Sequence, residues 1–240
     1  MHAWAITGLP EVRPGDDLAA MLAVAQYEPG DVLVVAHKIV SKSEGALRRL
    51  DEVTPSARAI EIARGHEKDP RHIQVVLDES ASVLRAERGV LICRTHHGFV
   101  CANAGVDASN APDAETLVTL PRDPDASARA LRAALPKRPA VVIADSFGRA
   151  WRHGQCDVAI GIAGLAPLDD WRGRRDTTGR ELHATVIAIA DEAAAAADLV
   201  RDKGSREPAV VVRGLERYVA DDDGPGAAAL IRPVAEDLFL

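Results

Sequence analysis

Two five-residue runs, Val32-Leu33-Val34-Val35-Ala36 and Ala140-Val141-Val142-Ile143-Ala144, contain no polar side chain and are rich in β-branched residues. Successive side chains of a strand point to opposite faces, so a run that is apolar at every position needs apolar cover on both sides. Both runs therefore read as buried strands. The first leads into a polar loop carrying His37, Lys38, Ser41 and Lys42, and the second ends at Asp145-Ser146. A rigid buried element that stops at charged residues is a good place to hold chemistry.

The rest of the chain supplies helices and further strands. Ala3 to Ile6 reads as a short strand, and Asp16-Asp17 cap a helix over about Leu18 to Ala25, broken at Glu28-Pro29-Gly30-Asp31. Thr54-Pro55, Asp69-Pro70 and Asp123-Pro124 each place a capping side chain before a proline, the pattern of a helix start. Gly89 to Cys93 and Gly98 to Ala102 read as two strands joined by Arg94-Thr95-His96-His97. Thr185 to Val200 is mainly helical, with Val186 to Ile189 able to begin as strand, and Ala209 to Val212 is a further strand. No internal repeat or linker appears, and strands do not alternate regularly with helices. This pattern predicts an α+β fold, with residues 1–240 as a single domain.

Composition excludes several function classes. The net charge of −7 is spread along the chain without a basic patch, which argues against nucleic-acid binding. Cys93, Cys101 and Cys156 are odd in number and lack CxxC spacing, as expected of free thiols in a reducing cytoplasm. The N-terminus lacks a signal-peptide pattern. The longest apolar tract, around Ala184 to Val200, is interrupted by Asp191, Glu192 and Asp198 and falls short of the roughly 20 residues of a membrane span.

Three segments carry potential chemistry. In Asp145-Ser146-Phe147-Gly148-Arg149-Ala150-Trp151-Arg152, a carboxylate beside a hydroxyl suits a hard cation such as Mg²⁺ or Mn²⁺. Arg149 and Arg152 offer planar donors to phosphate. The same residues also fit a charged surface loop. In Asn103-Ala104-Gly105-Val106-Asp107-Ala108-Ser109-Asn110, Asp107 can be a second cation ligand and Asn110 a nucleotide contact, or the stretch can be an Asx-rich turn. Lys38 and Lys42 can neutralise phosphates, although the segment lacks a P-loop pattern and lysines are more often simply solvated. Adjacent His96 and His97 would face opposite sides of a strand and cannot easily share a metal. Neither a G-x-S-x-G elbow nor any sign of a catalytic thiol at Cys101 is present.

Taken in order, these stretches resemble the coenzyme F420-0:L-glutamate ligase family. The matching pieces are Ile6-Thr7-Gly8-Leu9-Pro10 with Pro14-Gly15-Asp16; Val40 to Gly45; His97 to Asp107; and Asp145 to Arg152. Ala188 to Glu192, Val212-Arg213-Gly214 and Asp237-Leu238-Phe239 continue the likeness. The resemblance implies an α+β fold of mixed and antiparallel sheets with flanking helices, as two intertwined lobes in a homodimer. It implies GTP binding by Leu9, Pro10, Glu11, Val12, His37, Lys42 and Asn110, and divalent-metal ligation by Asp107, Asp145 and Ser146. A further nucleotide- and metal-contacting loop corresponds to about Lys203 to Val210, with Glu207 as its metal candidate, although the stretch Asp202 to Glu207 departs from the family's usual pattern. The flavin-reductase-like domain fused to some relatives is not expected here.

The activity so implied is amide formation in the cytoplasm. GTP would activate the terminal carboxylate of F420-0 as an acyl phosphate, L-glutamate would displace phosphate, and further glutamates would join through γ-carboxyls. Lys42, Arg149 and Arg152 are the candidates for stabilising developing charge, with Mg²⁺ or Mn²⁺ as cofactor and K⁺ as an additional candidate. Two other readings use the same residues: a metal-dependent phosphohydrolase and a non-catalytic GTP-binding subunit.

Overall fold

A computed structural model describes residues 1–201 and 204–237. Asp202 and Lys203 of the expected nucleotide loop, and Leu238 and Phe239 of the terminal motif, lie outside the described residues. The chain opens with strand β1 (His2–Ala5), helix α1 (Leu18–Leu22), strand β2 (Val32–Ala36) and helix α2 (His37–Ser43). Strand β3 (Leu47–Arg49) follows, then helices α3 (Ala57–His66) and α4 (Pro70–Asp78). Strands β4 (Ser80–Glu87), β5 (Val90–Thr95), β6 (Val100–Ala102) and β7 (Thr116–Val118) lead to helix α5 (Pro124–Ala134). The last part is the long hairpin β8 (Ala140–Arg149) and β9 (Arg152–Ala163), strands β10 (Asp169–Asp170) and β11 (Val186–Ile187), helix α6 (Ile189–Asp198) and strand β12 (Ala209–Arg213).

The main sheet has the order β1-β12-β2-β8-β9. Only β2 and β8 run parallel; the other neighbours are antiparallel. The two wholly apolar runs thus lie side by side at the centre, and their side chains feed two separate cores. Leu33, Val35, Val141 and Ile143 pack with Leu18, Leu22, Ile39 and Leu131 from α1, α2 and α5. Val32, Val34, Val142 and Ala144 face the other way, onto Ala190, Ala193, Ala194 and Ala197 of α6. Alanine at each of these α6 positions lets the helix lie close to the sheet, which gives the alanine-rich tract a packing role. Each fully buried valine, leucine or isoleucine contributes about 1.5–3 kcal/mol, so the central pair is the most heavily stabilised part of the sheet.

A third core, built around Ile73, Val76, Leu91, Cys93, Val106 and Leu117, lies between α3, α4 and the sheet β4-β5-β6. The architecture is mixed α and β with several sheets, as expected. Two expected helix bounds shift. Helix α1 stops at Leu22 rather than Ala25, and α3 is capped by Ser56, whose side chain accepts from the Ala59 N–H, rather than by Thr54. Asp69 and Asp123 cap α4 and α5 as the sequence predicts.

Strand β9 is a sheet edge, and its outward N–H groups are covered by carboxylates: Ala159 donates to Asp191 at 2.9 Å and Ile162 to Asp125 at 2.8 Å. Burial pushes the Asp191 carboxyl up, against the pull of that hydrogen bond. Helix α5 sits on this strand through Gly161. A Cβ there would stand 2.6 Å from the carbonyl carbon of Pro124. Gly161→Ala is therefore expected to lower stability by about 1–3 kcal/mol through overpacking, read as a lower urea midpoint; an unchanged midpoint would contradict the close seating of α5.

Strands β5 and β6 bring Cys93 directly opposite Cys101, and both thiols are free and buried. Burial pushes both up, and at Cys101, where the Asp145 charge adds to it, to about 12. A thiol attacks as its thiolate, so burial and the raised pKa both work against nucleophilic attack by these two. Titration of the native protein with a disulfide reagent near pH 8 should find Cys156 alone, and all three cysteines after unfolding; two or more fast thiols in the native protein would refute this burial.

Candidate active site

A cleft of about 990 Å³ opens where the parallel pair β2 and β8 ends. Its lining draws on Leu9, Pro10, Glu11 and Val12, on His37, Lys38 and Lys42 of α2, on Asp107 and Asn110, and on Asp145 and Ser146. Gln155, Asp157, Arg201, Arg206 and Glu207 also line it. Leu9 to Val12, His37, Lys42 and Asn110, expected to bind nucleotide, and Asp107, Asp145 and Ser146, expected to bind metal, all line this one cleft.

The last register pair of β2 and β8 is Ala36 with Ala144, so the next residues, His37 and Asp145, leave the pair at the same level. His37 Nε2 lies 3.3 Å from Asp145 Oδ1, and its Nδ1 lies 3.3 Å from Ser41 Oγ. The segment from His37 is a helix, not the loop that the sequence suggests. No side chain caps it at Ala36, so the usual start signal is absent. Burial of Ile39 and Val40 against the sheet holds the helix in place. Strand β8 also runs on past Asp145 to Arg149 instead of ending there, because β9 continues to pair with it after β2 has turned away.

Lys38 reaches the loop after β6. Its Nζ donates to Asp107 Oδ2 at 2.6 Å, to Ser109 Oγ at 2.6 Å and to the Ser109 carbonyl at 3.2 Å. Partial burial of Asp107 works against its charge. The hydrogen bond from Lys38, those from Ser109 and the Lys38 charge outweigh that and hold the carboxyl below its ordinary range. Lys42, buried in the wall, donates to Glu11. A lysine buried there with a single exposed carboxylate partner is a strong anchor for an anion. Ser146 donates to Asp157 Oδ1 at 2.6 Å, and Arg201 pairs with the other oxygen of Asp157.

Arg149 and Arg152 stand apart from this group. They lie on the exposed arm of the β8–β9 hairpin, where Arg149 donates to the His153 carbonyl at 2.7 Å, and neither lines the cleft. Gly148 and Gly154 lie on the same arm beside Gln155, which lines the cleft: Gly148 pairs with it across the hairpin and Gly154 precedes it in the chain. His96 and His97 bond main-chain carbonyls, of Asp78 at 3.0 Å and of Pro121 at 3.0 Å. Both histidines are structural. The reading of the sequence missed Asp157 and Arg201: an isolated aspartate in an apolar strand acquires meaning only through its register opposite Ser146.

The comparisons with known proteins identify the family. The family described as F420-0:Gamma-glutamyl ligase matches residues 7–214. A protein of Methanopyrus kandleri named coenzyme F420:L-glutamate ligase is 47% identical, covering 95% of this chain and 93% of its own. One of Methanothermobacter thermautotrophicus with the same name is 42% identical, covering 98% and 96%. A third, from Archaeoglobus fulgidus, is 45% identical over 90% of this chain and 88% of its own. The matched span runs from the first cleft segment to the end of the central sheet, and with it the chain belongs to the F420-0:gamma-glutamyl ligase family.

Proposed function

We propose that this chain is a GTP-dependent ligase that joins L-glutamate to coenzyme F420-0 through an acyl phosphate and then adds further γ-linked glutamates. The observation that carries the reading is the convergence, in one cleft, of two carboxylates, a hydroxyl and a buried lysine from separate parts of the chain. Family membership and the names of three relatives support the chemistry.

Amide synthesis needs an activated acyl group, because a free carboxylate resists attack by an amine. In the proposed reaction a carboxylate oxygen of F420-0 bonds to the γ-phosphorus of GTP as the β,γ-bridging bond breaks, giving an acyl phosphate and GDP. The amine of glutamate then attacks the acyl carbon, the C–O bond to phosphate breaks, and inorganic phosphate leaves. Lys42 is placed to bind the phosphates and offset the charge that builds on them. Leu9, Pro10 and Val12 offer an apolar ledge along the nucleotide, with Glu11 orienting Lys42. His37 and Asn110 supply polar contacts from facing walls.

The donors suit a hard cation. Asp107, Asp145 and Ser146 offer oxygen only, and Mg²⁺ commonly takes one or two carboxylates and completes its shell with substrate phosphates. Among the described residues no three His, Cys, Asp or Glu side chains form a ready cage, which suits an ion that arrives with the nucleotide. Mg²⁺ or Mn²⁺ held there would screen phosphate charge; K⁺ remains a further candidate. Glu207 lines the same cleft and is a candidate for an additional contact.

The homodimer belongs to the same reading. Trp151, 78% exposed at the tip of the β8–β9 arm beside Arg149 and Arg152, is the kind of surface a second copy would cover. No helix among the described residues is long and apolar enough to cross a membrane.

Incubation with F420-0, glutamate, GTP and Mn²⁺ is expected to yield a product heavier by one glutamyl unit, with GDP. Asp145→Asn should lower glutamate-dependent GDP formation by about 10²–10³-fold. Phosphate release indifferent to glutamate and F420-0 would favour a phosphohydrolase, and tight GTP binding without any turnover would favour a binding subunit.

A further inference from the structure

Asp157 is buried to 2% exposure in the floor of the cleft, and no role has been attached to it above beyond its contacts. It occupies β9 directly across from Ser146 in the β8 register. One carboxylate oxygen accepts the Ser146 hydroxyl at 2.6 Å, and the other takes the Arg201 guanidinium. Arg201 in turn donates to the Pro208 carbonyl at 3.3 Å, at the end of the segment that carries Arg206 and Glu207 into the cleft. The Arg201 side chain is itself only 9% exposed.

We infer that Asp157 is a positioning residue of the ligase site: it sets the polarity of the Ser146 hydroxyl and, through Arg201, anchors the 204–208 wall of the same cleft. The inference rests on the proposed nucleotide and cation reading of that cleft.

The physical argument has two parts. A serine hydroxyl carries one hydrogen and can act as donor or acceptor. Donation of that hydrogen to Asp157 makes the oxygen an acceptor on its cleft side, the state a hard cation requires of a ligand. A buried ion pair is also a poor way to gain stability, since apolar residues of similar volume often do as well or better. The Asp157–Arg201 pair joins two elements that both line the cleft, the β8–β9 ladder and the segment before β12. A pair with only a packing role has no need to end on Ser146.

The substitution Asp157→Asn keeps the size of the side chain but turns the bond around. The amide oxygen satisfies Arg201, and the amide N–H then donates to one of the two lone pairs of the Ser146 oxygen, which turns the serine hydrogen away from residue 157 and toward the cleft. Mn²⁺ binding in the presence of GDP, followed by titration, is the readout, alongside the split between kcat and KM for GTP. Asp157→Asn should weaken Mn²⁺ binding by roughly 10–100-fold, the usual effect of removing an outer-shell partner, and Ser146→Ala, which removes the proposed ligand itself, by at least as much. The double variant should bind no worse than S146A, to within about two-fold. A pure loss of charge at position 157 would act through the field and would add to the S146A effect, so the cycle separates positioning from electrostatics.

Wild-type Mn²⁺ affinity in D157N, or losses that multiply in the double variant, would overturn the inference while leaving the site reading intact. Unchanged binding and ligation in S146A would instead sink the site reading. Should D157N fail to fold by circular dichroism, the same cycle is run with Arg201→Lys and S146A. Non-additive losses then support the inference and multiplicative ones reject it.

Discussion

The parallel pairing of β2 with β8 is the constraint from which the rest of the site follows. Both strands are apolar at every position through Ala36 and Ala144, and both are sandwiched between two cores. A one-residue slip would exchange the two faces of each strand and expose the wrong set of side chains, so the register is strongly fixed. Because Ala36 and Ala144 are the last partners, His37 and Asp145 emerge together. The position of His37 and Asp145 in the cleft is therefore set by hydrophobic packing several residues away.

The polar residues at this edge form an alternation of charges. Two successive residues at the start of α2 reach the two acidic segments, His37 to Asp145 and Lys38 to Asp107, while Arg201 holds Asp157. Carboxylates brought close together oppose one another's ionisation, and a neighbouring cation reverses that tendency. Lys38 does so at Asp107. The charge of Asp107 is thus held by a partner within the fold.

Much of this was legible in the sequence because it depends on local patterns. The apolar runs gave β2 to the residue, and Asp69-Pro70 and Asp123-Pro124 marked α4 and α5. The acidic and basic segments that line the cleft stood out as unusual clusters after strands. What escaped the reading depends on contacts distant in sequence. Helix α2 has no capping side chain and exists because Ile39 and Val40 are buried by the sheet. The continuation of β8 past Asp145 depends on β9, whose first half is polar and reads as loop. Asp157 became visible only once Ser146 was seen to face it. Arg149 and Arg152 are close to Asp145 in sequence, but the extended hairpin carries them onto an exposed arm outside the cleft lining of this chain.

The central claim is that one nucleoside triphosphate occupies the cleft formed where β2 and β8 part. Hydrogen–deuterium exchange with and without GTP and Mn²⁺ tests it most directly. The account predicts added protection over residues 9–12, 37–42 and 106–112, three segments far apart in the chain that share only this cleft. Protection confined to the sheet of β4, β5 and β6, or none in any of the three segments, would contradict it.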